Sequence, residues 1–334
     1  MTIKDLAKKT GYGVATVSRV LNGQPSVSDT ARSVILRAAE ESGFTLNSNA
    51  KQLKQQHSTS ILVMVKGSSN EMFLQLLESI QALADQAHYP LHVDYMDESI
   101  NEVQRAHQLC REIKPLGILF LGGNSRNFLS HFHLIDIPCV LVSNDASQLP
   151  FPNLSSVCTD DRLASCAAMD ALLALGHRNF AIVGGNKEAS DTSRLRYTGC
   201  MDALQSQNIS FDDKLGYRGV LFSYKDGYEA TRSLIEQGVK FTALFAMADV
   251  MAIGAIRALR DSGKRVPEDV SVMGFDGLPL GSYLVPQLST VHQSVQDMAQ
   301  LSVEMLISQI KDGAEARHIF VPFTVLQRES TRAI

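Results

Sequence analysis

The stretch "ATVSRVLNG", residues 15–23, decides how the chain is read. Val17, Val20 and Leu21 set an apolar stripe at helical spacing over about 14–21, which leaves Thr16, Ser18, Arg19 and Asn22 on the other faces. A solvated helix is usually laced with Glu and Lys. Hydroxyls, an amide and a guanidinium instead suit phosphate oxygens and base edges. Upstream, Thr2 is a natural N-cap for a helix whose apolar face is Ile3, Leu6 and Ala7 and which Gly11 ends. Downstream, Ser28 caps "DTARSVILRAAEESG", with Ala31, Val34, Ile35, Ala38 and Ala39 on one face and Gly43 as the stop. Two short helices joined through Thr10 to Gly13 have the spacing of a helix-turn-helix, and the third completes a minimal core.

Charge supports this assignment. The net charge is −4, but residues 1–57 carry eight Lys or Arg against four Asp or Glu, and the remaining residues carry 23 against 31. A basic head on an acidic body places any polyanion contact at the N-terminus.

Residues 45–60, "TLNSNAKQLKQQHSTS", are polar and read as a linker, with a helix possible over Asn47 to Gln55. From Ile61 the texture changes. Apolar runs such as "ILVMV", "GILFL", "CVLVS", "FAIVGG", "ALFAM" and "VSVMGF" alternate with amphipathic stretches at 74–87, 101–113, 161–175, 194–207, 225–237 and 250–262. That alternation predicts an α/β body with parallel sheets flanked by helices. Roughly a dozen strands exceed one comfortable sheet, so two lobes are expected. The boundaries are a helix-turn-helix head at 1–46, a hinge helix or linker at 47–57, and a body at 58–334. Within the body, lobe 1 is about 60–159 and 292–321, and lobe 2 is 160–291 and 322–330. A helix at about 294–311 and a strand "HIFVPF" close it.

Enzyme and metal chemistry find little support. The five cysteines include no CxxC and read as reduced thiols, Cys139 and Cys158 as small core residues. "HFH" at 131–133 could place two imidazoles on one face of a strand and reads as a solvated pair. "GGN" at 122–124 and at 184–186 reads as strand-to-helix turns, and Asp160 and Asp161 read as caps. No nucleophile–base pair, P-loop or cofactor motif emerges, so no catalytic residue, cofactor or metal is expected. No run of 18 apolar residues argues for a membrane span, and "MTIKDLAKKTG" has no secretory apolar segment; a cytoplasmic protein is expected.

These residues and motifs resemble those of the LacI/GalR family of bacterial transcription regulators. "IKDLAKKTG…ATVSRVLNG" is similar to that family's opening signature. "GHRNFAIVGG" at 176–185, "MAIGAIRAL" at 251–259 and "VPEDVSVMGFD" at 266–276 are similar to three further stretches, in the same order. The resemblance implies a helix-turn-helix head before a body like the two-lobed periplasmic sugar-binding proteins. It also implies a homodimer on a palindromic operator in double-stranded DNA, and a small sugar or glycoside effector between the lobes. The DNA-binding set it implies is Thr2, Val14, Ala15, Thr16, Ser18, Arg19 and Asn22, with Asn47 and Leu53 from the hinge. Leu53 matches the leucine that wedges into the minor groove. The family usually has Pro–Asn before the hinge helix, and here Leu46 precedes Asn47, so hinge folding is expected to cost more.

The implied effector set is Phe73, Ser143, Asn144, Arg196, Phe222, Asp249 and Asp276. Arg196 matches the arginine that hydrogen-bonds the effector, and Phe222 an aromatic on which ligands stack. In "MADVMAIGA", Ala248 stands where sugar-responsive members often have Asn, which implies a changed ligand. The reading is a repressor of carbohydrate-utilisation genes; the alternative from another class is a solute-binding protein.

Overall fold

The computed structural model describes residues 3–21, 27–42, 59–67 and 70–334. Thr2, Asn22, Asn47 and Leu53, the stop at Gly43 and the hinge at 47–57 lie outside them. The chain forms two units, 1–58 and 59–334.

In the first unit, α1 (Ile3–Thr10), α2 (Val14–Leu21) and α3 (Asp29–Glu41) pack around Leu6, Ala7, Val17, Val20, Ile35, Ala38 and Ala39. Leu6, Val17 and Ile35 are wholly buried, each contributing about 1.5–3 kcal/mol. Gly11 ends α1 at φ +74°, a conformation that costs glycine nothing. The α2 turn opens on the Gly13 carbonyl, which accepts from Thr16 N at 2.9 Å and Val17 N at 3.0 Å. Ser28 caps α3 by accepting from Ala31 N. One expectation is corrected: Val34 is 42% exposed. At about 100° per residue it lies roughly a quarter-turn from the middle of the Ala31–Ile35–Ala38–Ala39 stripe.

The second unit holds two six-stranded sheets. The first contains β1 (Ile61–Lys66), β2 (Leu91–Met96), β3 (Gly117–Leu121), β4 (Cys139–Val142) and β5 (Leu154–Thr159), with β11 (His318–Val321). Its order is β11-β5-β4-β3-β1-β2, all parallel. The second contains β6 (Phe180–Gly184), β7 (Tyr217–Gly219), β8 (Ala243–Ala246), β9 (Ser271–Asp276), β10 (Ser289–Gln293) and β12 (Phe323–Leu326), in the order β12-β10-β9-β8-β6-β7. Only β12 runs antiparallel. The strands are near-continuously apolar because helices cover both faces; every residue of β3, β6 and β9 is buried.

"HIFVPF" is not one strand. Pro322, which has no N–H to donate, separates β11 in the first sheet from β12 in the second. The chain thus crosses between lobes three times, near Asp160, Ser294 and Pro322. The crossing at Ser294 lies just past the expected 292, because β10 continues to Gln293 in the second sheet. "HFH" is not a strand either: His131 ends the helix Ser125–His131 and His133 lies in a 3-10 turn.

Candidate effector cleft and DNA-reading face

In parallel sheets the loops after the carboxyl ends of strands define the ligand crevice. A cavity of about 610 Å³ opens there between the two sheets. Lobe 1 lines it with Lys66, Phe73, Glu98, Asn124, Ser143 and Asn144, and lobe 2 with Asn186, Thr192, Arg196, Phe222, Asp226 and Asp276. Six of the seven expected effector residues, Phe73, Ser143, Asn144, Arg196, Phe222 and Asp276, therefore share one cavity.

Their placement follows from local backbone. Gly122, after β3, sits at φ +80°, and a Cβ there would come within 2.9 Å of the Phe73 ring. Gly185, after β6, leaves the same room for Phe222, 2.7 Å from the position a Cβ would take. The glycines of both "GGN" turns thus let an aromatic lie against the chain on each side. Ser143 at φ +75° and Asp276 at φ +119° are non-glycine residues in the left-handed region, both directly at strand ends.

Arg196 is 3% exposed. Its Nε donates to Asp161 Oδ1 at 2.7 Å, its Nη1 donates to the Met247 carbonyl and lies 3.7 Å from Asp276 Oδ1, and its guanidinium stacks 3.6 Å over the Phe275 ring. Asp161 is thus a buried ion-pair partner and not the cap expected of it; Asp160 alone caps, accepting from Leu163 N at 2.9 Å. Burial holds the Asp161 carboxyl above its ordinary value against the pull of Arg196. Asp276 accepts from Gln293 Nε2 at 2.8 Å, and burial pushes its pKa up to about 6 despite Arg196.

Asp249 is the correction. It is wholly buried and does not line the cavity. At the start of the helix Asp249–Asp261 it turns under β9 and β10, accepting from Thr290 Oγ1 at 2.6 Å and Leu278 N at 2.7 Å. Burial, and then the neighbouring charge of Asp276, push its pKa up to about 8. Ala248 at its N-cap leaves that helix with no side-chain cap.

In lobe 1, Glu102 is wholly buried and accepts from Lys66 Nζ, from Asn124 N at 2.7 Å and from Asn127 Nδ2 at 2.8 Å. Hydrogen bonds span the cleft: Asn124 Nδ2 to the Ala189 carbonyl at 2.5 Å, Ser125 N to Asp191 Oδ2 at 2.9 Å, and Asn144 Nδ2 to Thr192 Oγ1 at 3.0 Å. Sequence reasoning missed Lys66, Glu98, Asn124, Asn186, Thr192, Asp226 and Gln293. Two of them carry a signal in the sequence, since Asn124 and Asn186 close matching Gly-Gly turns after apolar strands.

In the head, Val14, Ala15 and Arg19 are exposed on α2, Val14 at 43%, while Thr16 and Ser18 are half-buried. An apolar pair followed by hydroxyls and a guanidinium lies on the outer side of the second helix of a helix-turn-helix. Among the described residues no cluster of three or more His, Cys, Asp or Glu could hold a metal, and no helix is long and apolar enough to cross a membrane.

A helix-turn-helix unit in one chain with a two-lobed body around a polar cleft defines a ligand-responsive DNA-binding regulator. Residues 2–47 match the model for bacterial regulatory proteins of the lacI family, and residues 169–331 that for the periplasmic binding protein-like domain. The chain is 34% identical over 337 residues to the HTH-type transcriptional regulator MalR of Clostridium butyricum, covering 99% of both chains. Among solved structures, the lac repressor dimer bound to operator and the anti-inducer ONPF shares 26% identity at a TM-score of 0.80, over 100% of this chain and 99% of that one. The CelR–cellobiose complex shares 25% at a TM-score of 0.72, over 99% of each. The chain belongs to the lacI family of bacterial regulatory proteins. It is a DNA-binding transcriptional regulator rather than an enzyme.

Proposed function

We propose that the protein is a cytoplasmic repressor of sugar-utilisation genes that binds a palindromic operator as a homodimer and responds to an uncharged sugar or glycoside in the cleft. The observation that carries the reading is the occurrence in one chain of an exposed α2 face and a cleft of about 610 Å³. Val14 and Ala15 contact thymine methyls, Thr16 and Ser18 reach phosphates, and Arg19 reads a guanine with its two-pronged donor set. Thr2, Asn22, Asn47 and Leu53 complete the DNA-binding set on the strength of the resemblance.

In the cleft, Phe73 and Phe222 offer faces for the apolar side of a sugar ring. Arg196, Asp276, Ser143 and Asn144 offer hydroxyl partners. Three carboxylates line the cavity, Glu98, Asp226 and Asp276, against two cations, Lys66 and Arg196. Both cations are already paired, with Glu102 and with Asp161, so the charge balance disfavours sugar acids and phosphates. A homodimer is supported by Tyr283 and Val285, which are 82% and 87% exposed, and by the two-fold symmetry that a palindrome shares with two heads. An effector that binds one lobe arrangement better shifts operator affinity by the same factor as the operator shifts its own.

Selection of random duplex DNA by the purified protein, alone and with ribose or cellobiose, tests the reading. An enriched palindrome whose recovery changes with a sugar is the expected result. No enrichment under any condition sinks the DNA assignment.

A further inference from the structure

Behind the lobe 2 wall, Lys187 is enclosed in a way that neither ligand nor DNA contact explains. It sits in the turn after β6, between the cleft residues Asn186 and Ala189. Its Nζ donates to both oxygens of Asp213, at 2.7 and 2.9 Å, and lies 3.6 Å from the Tyr197 ring centroid and 4.6 Å from that of Tyr217. The two rings meet edge to face at 5.3 Å, and Tyr217 OH donates to the Gly185 carbonyl in the same turn. The Lys187 side chain is only 20% exposed.

This enclosure joins three elements of the cleft wall. One is the turn 185–190, which lines the cleft with Gly185, Asn186, Ala189 and Ser190 and carries the Ala189 carbonyl that Asn124 of lobe 1 grips. The second is the helix Asp191–Ser206, on which Tyr197 directly follows Arg196. The third is β7, which leads into Gly219 to Phe222 of the cavity. Ammonium–aromatic contact and charge-assisted hydrogen bonds both strengthen as water is excluded. Gly185, at the entry of the turn, has no side chain to anchor it there, so the contacts of Lys187 and Tyr217 hold that end.

We infer that Lys187 is a positioning residue for the effector cleft: enclosed by Asp213, Tyr197 and Tyr217, it sets the turn 185–190 at the place where it meets both ligand and lobe 1. This rests on the reading of the cleft as the effector site.

Hydrogen exchange of the full-length protein tests it without an identified effector. The turn holds bonded amides to follow: Glu188 N on Asn186 Oδ1 at 2.9 Å, and Ala189 N and Ser190 N on the Asn186 carbonyl at 3.1 and 2.9 Å. Lys187→Met keeps the stem and removes the charge. It should speed exchange at these amides about tenfold, as expected for losing one partly desolvated cation contact, and leave β6 and β8 unchanged. Lys187→Arg, which can pair with a carboxylate and stack on tyrosine, should restore wild-type exchange. Tyr217→Phe, which removes only the bond to Gly185, should loosen the same amides and serves if Lys187→Met does not fold. Unchanged exchange in the turn, or faster exchange throughout lobe 2, overturns the inference. Calorimetry of the wild type with ribose and cellobiose runs beside it. Failure of both sugars counts against the effector reading, while the exchange result still decides the role of Lys187.

Discussion

The two lobes share a strand order but manage the charges at their cleft walls differently. Read from the edge strand, β2-β1-β3-β4-β5-β11 and β7-β6-β8-β9-β10-β12 are the same path, ending in a strand from the chain's last crossing. In lobe 1 the cleft cation Lys66 faces one buried carboxylate, Glu102, whose remaining capacity is used by Asn124 N and Asn127. In lobe 2 the cleft cation Arg196 faces Asp161 and Asp276, with Asp249 one layer further back, and all three carboxyls are held above their ordinary values chiefly by burial. Lobe 1 has one buried ion pair, with the exposed carboxylate of Glu98 beside it. Lobe 2 is an excess of acid around one guanidinium, and such a site depends on its cation far more heavily.

The largest test of that contrast is Arg196→Ala, which strands Asp161 and Asp276 without their cation. We expect a loss of about 3–5 kcal/mol together with loss of the effector response, read by denaturant unfolding and calorimetry. Next comes Glu102→Gln, which keeps shape but cannot accept from all three donors. We expect about 1–3 kcal/mol; a cost equal to that of Arg196→Ala would erase the difference between the lobes.

Smaller effects come from pH. The Asp249 pKa lies at about 8, above the unfolded value near ~3.9, so the folded state holds the proton more tightly. The stability this contributes is full below the unfolded value and is lost as pH rises through about 8. Asp249→Asn cannot ionise, so its stability relative to wild type should improve steadily between pH 5 and 8 and level off above that, as thermal melts would register; a constant difference across the range would contradict the assignment. Asp276, with its pKa at about 6, should sharpen the picture most gently. Under the proposed effector role its ionised carboxylate would accept from a ligand hydroxyl, so effector affinity should fall as pH drops through 6, and a flat profile would remove Asp276 from ligand contact.

Much of this was legible in the sequence, for physical reasons that can be named. Apolar runs bounded by Gly revealed the strands because a parallel sheet is buried on both faces, and the α2 stripe of Val17 and Val20 is buried as its periodicity requires. The six expected residues that share the cavity were legible through a family resemblance, not through spacing. What stayed hidden is what depends on long-range placement. Asp160 and Asp161 look alike in sequence, yet one caps a helix while the other meets an arginine 35 residues away. Asp249 sits beside a motif but turns inward, because Thr290 and Leu278 N, far along the chain, supply its donors. The lobe bounds 292–321 and 322–330 already carried the crossing at Pro322, whereas period-two patterning reads "HIFVPF" as a single strand.

The central claim is that one chain reads DNA with α2 and a ligand with the lobe cleft, and that the two are coupled. The direct measurement is the affinity for the selected duplex, with and without the sugar that alters it, in wild type, Arg19→Ala and Arg196→Ala. The account predicts that Arg19→Ala loses about 1–3 kcal/mol of specific DNA binding while still binding the sugar. Arg196→Ala should hold the duplex and ignore the sugar. Unaltered DNA binding in the first, or an intact sugar response in the second, would contradict it.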